Sequence, residues 1–288
     1  MQPILTLFQS GTGKKNDKIG RTGETIMPPL FQVDAFTDRI FHGNPAAVCV
    51  LIEKRADGWM QQLALEMNLS ETAFLLPEEK NYHLRWFTPN TEVELCGHAT
   101  LASAWVLFHE LGFPKQETIY FQTLSGKLTA QWKNGEIMLN FPAFKNARLT
   151  AKQALLRALA IEEGKIWQIG THWVVEVENA SIVRNLRPDF KQLVAIGNGD
   201  VAVTSVSDNA DYDFISRFFA PALGIDEDPV TGSAHCSLGP FWMDKLKKNP
   251  LHAYQASARG GSLKVEMVGD RVNLYGKAVT VFQTEIKD

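Results

Sequence analysis

The chain of 288 residues has only three cysteines, Cys49, Cys96 and Cys236. They are too few and too scattered for a disulfide scaffold, and no CxxC pair of the metal-binding kind occurs. That usage fits a reduced, cytoplasmic setting. Long apolar runs are also missing, since no stretch approaches the roughly 18 residues that span a bilayer. Charge of one sign is missing too. Lys and Arg number 29 against 32 Asp and Glu, a net charge of −3. This gives no electrostatic ground for expecting nucleic acid or an anionic membrane as the partner.

What is present is globular composition, 45% hydrophobic, 21% charged and 10% aromatic. That is enough for a substantial core in two ordinary domains or one large one. The N-terminal segment before Met27 stands apart. Residues 1–8 are mildly apolar but lack the basic flank and cleavage site of a signal peptide, and residues 9–25 are polar and glycine-rich. Residues 1–26 are expected to be a flexible extension or added leader, with Met27 as the natural start.

From residue 31 onward, short strands alternate with a few helices. Strands are expected at 31–36, 46–51, 72–76 and 83–88, with Cys49 as a small core residue. Asp57 can cap a helix running to about Met67. A second helix should start near Gly97 and stop at Gly112. Strands follow at 118–123, 127–133 and 136–141, the last two joined by Asn134-Gly135, a strong hairpin signal.

The chain also repeats itself. Arg85-Trp86-Phe87-Thr88-Pro89 is echoed by Arg217-Phe218-Phe219-Ala220-Pro221, and Gly97-His98-Ala99 by Gly232-Ser233-Ala234. The hairpin 128–139 is echoed by 263–274. The three echoes come in the same order and at nearly constant spacing, almost half the chain apart. Solenoid repeats are far shorter, about 20–50 residues. The pattern therefore predicts two pseudo-symmetric halves, 27–141 and 142–277, each an α+β arrangement with a sheet curled around one helix. The last run, 278–286, has no place in the second repeat and is free to complete the first half.

Both long helices open with Gly and then a hydrogen-bonding residue, His98 or Ser233. The unpaired N–H groups of a helix start attract anions. Taken alone, either start is equally ordinary cap chemistry. Their repetition, with Glu94 before one and Asp226, Glu227 and Asp228 before the other, favours a cleft suited to a carboxylate where the halves face each other. Glu71 lies where a helix ends and the apolar strand 72–76 begins. An acid entering a buried strand is costly unless it is paired or protonated, and desolvation moves a carboxyl toward the range useful for proton transfer. A solvated strand-entry residue is the competing account of Glu71. The strand 201–206 offers no acid, so the symmetry is expected to break here, with one half carrying the base.

Five motifs in order carry a family resemblance: Phe41-His42-Gly43-Asn44-Pro45-Ala46-Ala47-Val48, Ser70-Glu71-Thr72-Ala73-Phe74, Arg85-Trp86-Phe87-Thr88-Pro89, Gly97-His98-Ala99-Thr100 and Glu227-Asp228-Pro229-Val230-Thr231-Gly232-Ser233-Ala234. Together they resemble the phenazine-biosynthesis PhzF-like family, over about residues 29–282. The resemblance implies the diaminopimelate-epimerase type of fold, with curved, mostly antiparallel sheets around central helices. It further implies a homodimeric isomerase that needs neither cofactor nor metal. Glu71 matches the acid/base, His98 and Asp228 match groups that contact substrate, and Ser233 matches a binding serine. Gly97, Gly232 and Ala234 fall in the same binding motifs.

Racemases of this fold use two cysteines, each before the Gly that opens a helix. Here Cys96 holds the first place and Thr231 the second, which disfavours paired-thiol chemistry. The expectation is proton movement on a small cyclic or unsaturated carboxylic acid, Glu71 removing the proton and returning it elsewhere. The rivals are an epimerase of an amino or hydroxy acid, with Asp228, His98 or Cys96 as second group, and a non-catalytic carboxylate-binding protein. His172 and Trp173 are expected in a core or interface, His109 as a partner of its helix dipole, and His235 and Cys236 near the cleft. Trp132, Phe141 and Phe144 are read as packing.

Overall fold

The computed structural model describes residues 27–145, 147–170, 172–197 and 200–287. The expected extension, residues 1–26, lies outside the described residues. The chain gathers into two compact units. The first comprises residues 27–40, 45–139 and 277–287, and the second comprises 41–44 and the described residues among 140–276. No helix among the described residues is long and apolar enough to cross a membrane.

The first unit is organised around the helix Gly97–Trp105, in which every residue from His98 to Ala104 is buried. A helix buried on all sides must be enclosed rather than laid on a surface. Its polar members turn back on the helix: Thr100 Oγ1 donates to the Cys96 carbonyl at 2.5 Å and Ser103 Oγ to the Ala99 carbonyl at 2.7 Å. The helix expected to reach Gly112 widens into a π turn over Val106–Glu110, closed by Leu111 N–H on the Val106 carbonyl. Gly112, at φ +73°, then ends it.

Around this helix, Asn44–Val50 runs parallel to Glu71–Glu78, with the helix Asp57–Met67 as the crossover that a parallel pair requires. Glu71–Glu78 pairs antiparallel with Asn81–Phe87, which in turn lies parallel to Ile119–Thr123. The strands Ile119–Thr123, Gly126–Lys133 and Glu136–Pro142 form a meander. Asn134 and Gly135 both take left-handed φ, +52° and +89°, as a tight hairpin turn demands. Pro29–Ala35 pairs with Ala278–Glu285, so the last strand belongs to the first unit.

Met60 and Ala64 of the crossover helix pack with Ala47, Cys49, Phe74 and Phe87. Strand side chains alternate between faces, so Phe74 and Thr72 face this outer helix. Glu71, Ala73 and Leu75 therefore face the central one. Asp57 does not cap its helix: Ala56 holds the cap position, and the Asp57 carboxylate takes Arg85 Nη1 at 2.6 Å.

The second unit repeats this plan. Its central helix, Gly232–Leu246, is buried along most of its length. His172–Glu176 lies parallel to Val201–Val206, which pairs antiparallel with Phe214–Ala220. Leu251–Gln255, Gly261–Val268 and Arg271–Gly276 form the meander, and Ala147–Thr150 pairs with Lys165–Ile169. The outer layer differs. Two short helices, Ala180–Asn185 and Phe190–Ile196, are capped by the side chains of Asn179 and Asp189 and stand where the first unit has one. The result is the mixed α+β architecture expected from the sequence, doubled.

Candidate active site

Glu71 opens its strand three residues after Asn68, whose left-handed backbone ends the crossover helix. Its side chain, 13% exposed, faces the central helix and brings Oε2 to 3.3 Å from His98 Nε2. His98 is the second residue of that helix and is 5% exposed. Its other nitrogen, Nδ1, lies 3.5 Å from Cys96 Sγ. Carboxylate, imidazole and thiol thus lie within 4.8 Å of one another, close enough to consider an ion. His98 meets its two neighbours with different nitrogens, whose lone pairs diverge. The ring thus bridges acid and thiol. No side chain caps this helix start.

In the second unit, Asp228 ends the strand Ile225–Asp228, and both of its carboxylate oxygens accept hydrogen bonds. Asn44 Nδ2 donates to Oδ1 at 2.7 Å, and Thr231 Oγ1 donates to Oδ2 at 2.5 Å. Gln255 closes the ring, donating to the Asp228 carbonyl and accepting from Thr231 N–H. Because Thr231 spends its hydroxyl on Asp228, the helix it introduces has no side-chain cap. Gly232 and Ala234 are buried there, and Ser233 is partly exposed. The residues sequence reasoning missed are Asn44 and Gln255. Asn44 stood in the quoted motif 41–48, but nothing local tied it to a residue 184 positions away.

Other expectations are sharpened or corrected. Glu94 and Asp226 are exposed, and Glu227 is taken by Arg217. His109 stacks on Trp105 at 3.5 Å, and burial together with Lys115 holds its pKa below the usual value. It stands in the last turn of its helix, as expected. His235 is fully buried, with Nδ1 2.7 Å from the Thr231 carbonyl and its pKa pushed down to about 4 by burial. Cys236 is buried beside it, its thiol pushed up to about 12 by burial. Neither is exposed enough to line a cleft.

The expectation that the second half lacks an acid at the place of Glu71 is also corrected. Phe74 pairs with Arg85, and Val203 with Arg217. The residue three positions before Phe74 is Glu71, and three before Val203 is Asp200. The acid stands one residue ahead of the strand. His172 Nδ1 lies 3.5 Å from its Oδ2.

Two α+β units, each a sheet around one buried helix, make up the class of fold seen in a solved phenazine biosynthesis protein of the PhzF family from Enterococcus faecalis. That structure has a TM-score of 0.87 and 40% identity, covering 91% of this chain and 100% of the other. The chain belongs to the phenazine biosynthesis-like protein family (PhzC-PhzF), whose profile matches residues 33–284. An uncharacterized isomerase of Halalkalibacterium halodurans is 49% identical over 259 residues, 90% of this chain and 98% of that protein. A predicted epimerase from Pseudomonas aeruginosa, 21% identical with a TM-score of 0.69 over 90% of this chain and 99% of the other, shares the fold.

Proposed function

We propose that the protein is an isomerase that moves a proton on a small cyclic or unsaturated carboxylic acid, with Glu71 as the base. The observation that carries this reading is the largely buried Glu71 carboxylate, 3.3 Å from His98 at the start of a buried helix. Glu71 removes a proton from a carbon made acidic by its neighbouring carboxylate and double bond, and the electron pair delocalises into the conjugated system. Proton return at another position completes the isomerisation. His98 holds the base in place and meets a polar group of the substrate. Gly97, Gly232, Ser233 and Ala234 supply helix-start N–H groups and a hydroxyl for anionic oxygens. Asp228 shapes the turn that presents Ser233.

The reading includes no cofactor or metal, and it takes from the family resemblance a homodimer working in the cytoplasm. General acid–base catalysis contributes about 10²–10⁴-fold, the remainder coming from positioning and electrostatic stabilisation of the anion. The test is solvent deuterium incorporation into a panel of small unsaturated carboxylic acids. Wild-type protein should label at least one of them, and Glu71→Gln should slow labelling by at least about 100-fold. Labelling that persists in Glu71→Gln removes Glu71 as the base. Binding without any labelling favours a non-catalytic carboxylate-binding protein.

A further inference from the structure

Three consecutive carbonyls lead toward the helix Gly232–Leu246, those of Asp228, Pro229 and Val230, and each is taken by a different side chain. Gln255 Nε2 donates to the first at 2.7 Å, Ser257 Oγ to the second at 2.8 Å and Asn44 Nδ2 to the third at 2.9 Å. The same Asn44 nitrogen donates to Asp228 Oδ1 at 2.7 Å, so one amide spans the turn from its first residue to its third. A carboxylate oxygen and a carbonyl can only accept, which settles which end of the amide faces them.

Gln255 ends the strand Leu251–Gln255 and Ser257 follows it, whereas Asn44 lies 184 positions before Asp228. The segment that carries Asn44 is tied down within the same unit. Gly43 N–H donates to the Gly260 carbonyl at 2.7 Å. Arg259 donates through Nε to the Gly43 carbonyl at 2.8 Å and through Nη2 to that of His42 at 3.0 Å. Asn44 itself is fully buried, and among the described residues nothing donates to its Oδ1. An amide kept for stability alone is usually paired at both ends. This one gives its hydrogens to the turn.

That turn decides where the first N–H groups of the helix point. The helix start has no side-chain cap, so those groups remain for an anion. A shift of about 1 Å at such a site can cost about 100-fold. We infer that Asn44 is a positioning residue for the substrate's carboxylate. By fixing Asp228 and Val230 it aims the N–H groups of Gly232 and Ser233. The inference rests on the proposed reading of Gly232 and Ser233 as carboxylate-binding groups, and it adds the residue that sets their geometry. Asn44 takes no part in moving a proton, so its effect falls on binding rather than on the turnover of bound substrate.

The experiment compares the wild type, Asn44→Ala, Asn44→Asp, Asp228→Asn and the double variant Asn44→Asp/Asp228→Asn, which exchanges amide and acid at constant volume. Calorimetry gives the affinity for dihydrobenzoic, cyclohexenecarboxylic and straight-chain alkenoic acids, and deuterium incorporation from D2O gives the rate at saturation. Asn44→Ala should weaken binding at least about tenfold, while labelling at saturation falls less than about threefold. Each single exchange should also bind weakly. The double variant should return to within about threefold of the wild type, because the hydrogen bond then runs from position 228 to position 44. Should Asn44→Ala fail to fold, the two single exchanges and the double variant carry the same comparison. A merely structural role lowers the folded fraction, so labelling falls while the affinity of the remaining protein stays the same. That result, or a double variant no tighter than its parents, overturns the inference. Wild-type protein that binds an acid without labelling it removes the Glu71 reaction but not this inference, which affinity still decides. Wild-type protein that binds none of the acids overturns the carboxylate site and this inference with it.

Discussion

Arg217 grips Glu227 through two parallel hydrogen bonds, Nε to Oε1 at 2.7 Å and Nη2 to Oε2 at 2.8 Å. The same fork joins Arg85 to Glu92 in the first unit, at 2.6 and 2.7 Å. Each guanidinium lies over the phenylalanine two residues on, Phe219 or Phe87. The pairs tie the strand before each helix start to its neighbour, so the segment leading into the helix is braced on both units. They differ in depth. Arg217 also donates to the Val183 and Leu186 carbonyls, whereas Arg85 reaches out to the exposed Asp57.

Removing Arg217 strands a mostly buried carboxylate as well as the Val183, Arg184 and Leu186 carbonyls. Arg217→Met should therefore destabilise the protein by about 3–5 kcal/mol. Arg217→Lys should recover only part of that, because an ammonium cannot make the planar fork. Arg85→Met, with a partner more open to water, should cost less than Arg217→Met. Urea unfolding of the three variants checks the order, and equal losses at the two arginines would show that depth is not what distinguishes them.

Cys96 Sγ lies 3.5 Å from His98 Nδ1. If Glu71 is the base, the thiol only supports the ring. Cys96→Ser keeps a hydrogen-bonding group there and should retain labelling of a carboxylic acid within about tenfold of wild type. His98→Leu, which removes the imidazole, should lose at least about 100-fold. The reverse order, with the cysteine variant inactive, would return the chemistry to the thiol.

Much of this fold was legible in the sequence because the repeat falls on residues with steep structural requirements. Gly97 and Gly232 open buried helices, and Arg85 and Arg217 make the same fork, so their nearly equal spacings registered clearly. The strand carrying Glu71 repeats at a shorter spacing, because the tight turn after Glu78 is replaced by a longer loop between Val206 and Phe214. That change of register hid Asp200, an acid just ahead of an apolar run, where aspartate is ordinary turn chemistry. The link from Asn44 to Asp228 was hidden for another reason: long-range side-chain pairing leaves no periodicity to read. The π turn at Val106–Glu110 likewise has the composition of a plain helix.

His235 stacks against Phe214 with no exposed surface, and burial holds its pKa at about 4, below the model-peptide value of 6.5. The unfolded chain binds a proton as pH falls through about 6.5, while the folded chain resists until about 4. Stability is thus fully present above about pH 6.5, is lost progressively below it, and is reduced by about 3 kcal/mol once both states are protonated. His235→Gln keeps a donor for the Thr231 carbonyl but cannot titrate. Its urea midpoint should fall less between about pH 7.5 and 4.5 than that of the wild type, and an unchanged slope would move the effect to other groups.

Gly239 sits inside the buried helix Gly232–Leu246, where glycine is a poor choice for helix stability alone, worth up to about 1 kcal/mol against alanine. Its reason is proximity: a Cβ there would stand 2.4 Å from Val265 Cγ1 on the strand Gly261–Val268. Helix and sheet meet at this residue with no room for a methyl group. Gly239→Ala should therefore destabilise by about 1–3 kcal/mol despite the better helix propensity. Val265→Ala alone should also cost about 1–3 kcal/mol, through the cavity it leaves. Combined, the two changes exchange one methyl for the space of another. The double variant should be more stable than the sum of the singles predicts by at least about 1 kcal/mol. Additive losses would mean that the glycine is needed for something other than the approach of Val265.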